Sequence, residues 1–100
     1  MPFASDDERL DHFDRHRSEF SFRTEMEYED AAERFMSGKF KEPVREGFRP
    51  KGDRVRYDRV SGCLGVVSSR GILRTFHRPS ANFRHKAYFL WECGTGRPGV

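Results

Sequence analysis

The sequence predicts an α+β domain in which two N-terminal helices pack on a small antiparallel β-sheet. Three observations carry that expectation. Tyr28, Ala31, Ala32, Phe35 and Met36 recur at helical spacing and make one apolar face. Residues 49–78 divide into three short alternating runs, Arg54 to Asp58, Cys63 to Val67 and Ile72 to Arg78, set apart by the turn segments PKGD, RVSG and SSRG, which is the pattern of a meander. Hydrophobic and charged residues each make up 35% of the chain, but ten Phe, three Tyr and one Trp supply the bulky anchors that a disordered chain lacks. The 100 residues suit one domain with a modest core, over 1–93, with GTGRPGV at 94–100 as a flexible tail.

Each element has a local cause. Ser5 is placed to cap a first helix from Asp6 to Arg17, with Asp6, Asp7 and Glu8 in the turn where the helix dipole favours negative charge. Leu10 and Phe13 form its apolar stripe, and His12 and His16, four apart, are neighbours on an adjacent one. Ser18 to Arg23 breaks the pattern, with Phe20 and Phe22 packing beneath the turn. Thr24 and Glu27 form a capping box that opens a second helix from Glu25 to Ser37, closed by Gly38. The connector from Lys39 to Pro50 holds a short edge strand over Val44 to Phe48. In the meander, Arg54, Arg56 and Asp58 share one face and Val55 and Tyr57 the other. The last run puts Leu73, Thr75 and His77 together, opposite Ile72, Arg74 and Phe76. A turn over Pro79 to Asn82 precedes a closing strand over Lys86 to Trp91.

The net charge of +3 hides a division. Residues 1–33 carry 11 Asp and Glu against 4 Lys and Arg, whereas residues 34–100 carry 5 against 15. An acidic helical part beside a basic sheet is an electrostatic footprint for a polyanion, most economically nucleic acid; the plainer reading is a solvated surface. Cys63 and Cys93 have neither the spacing of a metal-binding pair nor the number of a disulfide framework. No apolar run is long enough for a membrane span, and the acidic start MPFASDDERL does not read as a signal peptide, so the expected site of action is the cytoplasm, with delivery from outside left open.

Three constellations can carry chemistry. The pair His12 and His16 lacks the Glu that follows the first His in hydrolytic zinc sites, Phe13 standing there instead, so no metal is expected and acid–base work is. Two surface histidines on an amphipathic helix are the bland alternative. RVRY (Arg54 to Tyr57) and RTFHR (Arg74 to Arg78) supply the second: cutting RNA without metal needs a base for the 2′-hydroxyl, a donor for the leaving oxygen, and groups that hold the phosphorane charge. Arg56 suits phosphate oxygens, and Thr75 can orient one on the face of His77, with Arg54, Tyr57, Arg74 and Arg78 around them. The same residues also fit an ordinary solvent-facing sheet. Third, Arg84, His85, Lys86, Tyr88 and Trp91 interleave cations and rings as single-strand binders do, though such rings more often belong to a core.

HFDRHRSEFSFRTEMEYEDAAERF followed by GDRVRYDRVSGCLGVVSSRGILRTFHRP resembles the C-terminal nuclease domains of bacterial polymorphic and contact-dependent toxins, in the barnase/EndoU/colicin/RelE superfamily of metal-independent ribonucleases. The resemblance covers Leu10 to Pro79 and rests on the order of an HF-x-x-H helix, an EYE-x-A-x-x-F helix, a GD-x-x-RYD strand, a GVV strand and a G-x-(I/L)-RT-F strand. It implies an endoribonuclease that cleaves tRNA, rRNA or mRNA by transesterification without a cofactor, restrained by an immunity or antitoxin protein. It also implies His12 as base, Arg56 as the strand arginine and Thr75 as the late-strand hydroxyl. Relatives read HG after the second histidine, where this chain has Arg17, and an aromatic and lysine after RTF, where it has His77 and Arg78. The second proton-transfer group is therefore open between His16 and His77. The alternative is a non-catalytic nucleic-acid-binding or regulatory module using the basic sheet; a third reading is an interaction domain for an acidic partner.

Overall fold

A computed structural model of the chain describes residues 2–79. The elements run α1 (Asp6–His16), a 3-10 turn (Arg17–Glu19), α2 (Glu25–Met36), β1 (Val44–Phe48), β2 (Arg54–Asp58), β3 (Leu64–Val67) and β4 (Leu73–His77). The strands form one antiparallel sheet in the order β1-β2-β3-β4. This is the expected α+β arrangement, with the helices N-terminal to the sheet. The expected strand over Lys86 to Trp91 and the tail at 94–100 lie outside the described residues. Among the described residues, no helix is long and apolar enough to cross a membrane.

Both helices start where the sequence places their caps. The Ser5 hydroxyl accepts the Glu8 amide at 3.1 Å, and the Thr24 hydroxyl accepts the Glu27 amide at 3.2 Å. α1 stops one residue before its expected end because the chain tightens into the 3-10 turn at Arg17. The apolar face of α2 buries Tyr28, Ala32 and Met36 against Phe13, Val67, Leu73 and Phe76, with Phe20, Phe22, Ala31 and Phe35 packed around them. At roughly 1.5–3 kcal/mol for each large side chain removed from water, this layer is what holds the helices to the sheet. The Tyr28 hydroxyl donates to the Phe76 carbonyl, and burial pushes its ionisation well above the ordinary phenol range, so it remains a donor.

The sheet approaches α2 most closely at Gly65, where a Cβ would lie 2.7 Å from Met36 Sδ and 3.1 Å from a Phe35 ring carbon. On the opposite face Val55, Tyr57, Leu64 and Val66 form a second, fully buried cluster. The meander is therefore covered on both faces and is not the half-exposed basic surface that its arginines suggest.

Two features differ from the sequence expectation. Val66 pairs with Thr75 but Val67 with Leu73, so Arg74 is an extra residue in a β-bulge. The bulge breaks the alternation and puts Leu73 and Phe76 in the same core cluster rather than on opposite faces. The N-terminal segment, for which the sequence predicts no structural role, lies along β4. Phe3 bridges to Leu73 in parallel, the Leu73 amide donates to the Pro2 carbonyl at 2.8 Å, and the Phe3 amide donates to the buried Glu29 carboxylate at 3.1 Å. Among the described residues this gives β4 backbone partners on the side away from β3.

Candidate functional site

The docking of α1 beside β4 gathers four of the singled-out side chains. Helical spacing puts His12 and His16 one above the other, with ring centroids 6.1 Å apart. The His16 ring in turn stacks on His77 of β4, at 4.9 Å between centroids and 21° between planes. His77 Nδ1 lies 2.9 Å from the Thr75 hydroxyl, two residues back on the same strand. At the other end the buried Phe3 ring stacks on His12 at 5.1 Å. The result is a row of three imidazoles closed by a phenyl ring at one end and a hydroxyl at the other.

The environment of His12 suits a base. Its pKa is lowered from 6.5, first because burial penalises the charged ring and then because Arg15 and His16 repel the added proton, while Glu8 and Asp11 pull the other way. Arg15 Nη2 stands 3.4 Å from both ring nitrogens and Glu8 Oε2 3.8 Å from Nε2. The lowered pKa favours the uncharged ring, whose unprotonated nitrogen faces the Arg15 Nη2 donor.

His16 is oriented by Glu19, which lies in the 3-10 turn. Glu19 Oε2 accepts from His16 Nδ1 at 2.8 Å, and its Oε1 accepts the Arg78 amide at 2.6 Å. A carboxylate only accepts, so Nδ1 carries the hydrogen and Nε2 is left for proton exchange. One carboxylate thus fixes a ring and ties the end of α1 to the end of β4. Sequence reasoning passed over Glu19. The available signal was an acid three residues beyond a histidine at a helix end, a spacing that brings the two side chains together.

The remaining sequence candidates divide. Arg78 is at the site: its amide holds Glu19, and its exposed guanidinium lies 5.1 Å over the Phe20 ring. Arg56 is not gathered with the histidines. It is 3% exposed on the α2 side of the sheet and donates to the carbonyls of Phe35, Ser37 and Gly38 and, at 3.0 Å, to Glu46. There it satisfies carbonyls that the end of α2 leaves without helical partners. Arg54 pairs with Glu46 at 3.5 Å, and Arg74 turns to Asp53 at 3.0 Å, which Arg49 also contacts at 3.3 Å. Tyr57 is buried on the face away from the helices. Lys86 lies outside the described residues.

In chemical terms the row offers a neutral imidazole, a carboxylate-oriented imidazole, and a hydroxyl hydrogen-bonded to a third ring. Arg15 and Arg78 are the nearby cations. No protein-family model matches the chain, and no curated protein matches it.

Proposed function

We propose that this chain is a metal-independent endoribonuclease whose site is the His12–His16–His77–Thr75 row. The observation that supports it is the stacking of His16 on His77, which hydrogen-bonds Thr75, with His12 stacked in turn on His16. His12, neutral at working pH, takes the proton of the 2′-hydroxyl as its oxygen forms a bond to the adjacent phosphorus. The bond from phosphorus to the 5′-oxygen breaks, and His16, entering the step with a hydrogen on each ring nitrogen and held by Glu19 at Nδ1, gives its Nε2 proton to that oxygen. The proton gained by His12 and the one lost by His16 are exchanged with water before the next turnover. The products are a 2′,3′-cyclic phosphate and a free 5′-hydroxyl. Thr75, fixed by His77, orients a non-bridging oxygen, and Arg78 supplies the positive charge, Arg15 being paired with Asp11 at 2.8 Å.

The enzyme reading is favoured over a purely binding sheet by where the arginines go. Arg54, Arg56 and Arg74 are each paired with Glu46 or Asp53, which lowers the charge the sheet has left for a polyanion. In line with the toxin resemblance, we extend the reading to a toxin acting on cytoplasmic RNA and restrained by an acidic immunity protein. The test is incubation of the purified chain with total RNA in EDTA. Fragments ending in cyclic phosphate are expected; intact RNA from a folded sample, across tRNA, rRNA and mRNA, overturns the proposal.

A further inference from the structure

An open groove of about 300 Å³ lies between the C-terminal end of α2 and the start of β1, away from the histidine row. Its composition is unusual for this molecule. Phe40 is a large ring left 44% exposed, and the Arg56 guanidinium stacks beneath it at 5.6 Å from the centroid. Arg34, Lys39 and Lys41 line the same groove, and none of the three is ion-paired with a carboxylate among the described residues. The one acid in the lining, Glu42, is taken by Arg45 at 2.9 Å and Arg59 at 2.6 Å. A surplus of exposed cations around a ring already polarised on one face matches an anionic chain that also carries flat apolar groups.

We infer that this groove is a second subsite, holding single-stranded RNA beyond the cleavage point, with a base stacked on Phe40 and phosphates on Lys39, Lys41 and Arg34. The inference rests on the ribonuclease reading for its biological sense. Strand register supports the placement: Arg45 pairs with Tyr57, Tyr57 with Leu64, and Leu64 with His77, so the start of β1 and the catalytic end of β4 lie at the same end of the sheet. Three interstrand steps of about 4.8 Å separate them, roughly 14 Å. A stacked strand rising about 3.4 Å per nucleotide crosses that in about four nucleotides. A duplex is disfavoured because its bases are already stacked and cannot lie on the ring.

The test measures binding, so it stands whether or not the strand is cut. Fluorescence anisotropy with a non-cleavable 2′-O-methyl octanucleotide is compared for the full chain, Phe40→Ala and the double variant Lys39→Glu/Lys41→Glu, with thermal melting as the check on folding. Base stacking of the usual strength makes Phe40→Ala at least about fivefold weaker. Charge reversal is expected to weaken binding by about tenfold or more and to flatten its salt dependence. An unchanged Kd in both folded variants overturns the subsite, as does equal competition by a duplex of the same sequence. If wild type binds the strand through these residues but cleaves no RNA, the subsite stands and the ribonuclease reading falls.

Discussion

The rings of His16 and His77 face each other at 4.9 Å, one on the last turn of α1 and the other on β4. This contact, together with Glu19, which bonds both the His16 ring and the Arg78 amide, makes the site a product of helix docking. Neither element carries it alone. Whatever loosens α1 from β4 should therefore remove function before it removes secondary structure.

His12 should titrate below 6.5, as followed by its ring-proton NMR shift, because burial and the neighbouring Arg15 and His16 outweigh Glu8 and Asp11. The sign for stability follows. Between the folded and unfolded pKa values the unfolded chain binds more protons, so this contribution is complete above about 6.5 and is lost as pH falls towards the folded value. His12→Gln should lose less stability than wild type on acidification through that window. A midpoint at or above 6.5 contradicts the environment assigned to the ring.

Glu19→Gln keeps an oxygen for the Arg78 amide but removes the carboxylate that orients His16. The expected outcome is a fall in kcat of about tenfold or more with KM nearly unchanged, on the scale of acid–base groups. A rise in KM alone assigns Glu19 to substrate binding; kinetics identical to wild type remove it from the site.

Much of the frame is legible in local chemistry. The capping box at Thr24 and the apolar face from Tyr28 to Met36 define α2, the first alternating run places β2 at Arg54–Asp58, and the connector between Lys39 and Pro50 holds β1 at Val44–Phe48. Tertiary placement is what escapes. Arg56 alternates with Val55 and Tyr57 and so reads as solvent-facing, but the end of α2 lands over that position and its carbonyls take the guanidinium. The bulge at Arg74 is equally hidden, since an extra residue leaves no mark on a short alternating run. Phe3 escapes because the four residues before the Ser5 cap carry no periodic signal, although the ring is buried against His12.

Arg56→Ala should be a stability variant. It strips Glu46 and three carbonyls of a buried donor set, and breaking such a buried pair costs about 3–5 kcal/mol. Lysine should not rescue it, because a single ammonium cannot reproduce the fork of the guanidinium. Chemical denaturation measures the loss. A folded Arg56→Ala protein with unchanged stability and lost RNA cleavage would return Arg56 to the catalytic role that the sequence suggested.

Gly65→Ala puts a methyl group 2.7 Å from Met36 Sδ and 3.1 Å from the Phe35 ring. Overpacking of this kind costs roughly 1–3 kcal/mol, and here it pushes α2 off the sheet. The expected result is a lower Tm and weaker amide protection in α2. Undiminished stability contradicts the close approach of α2 to β3.

The most direct measurement is a double-mutant cycle on kcat/KM for RNA cleavage in EDTA, using His12→Ala, Thr75→Ala and the pair. If α1 and β4 build one catalytic unit, each single variant loses at least about tenfold, and the double variant is little slower than the worse of the two. Folded single variants that cleave at the wild-type rate would show that the row of imidazoles is architecture and not the site.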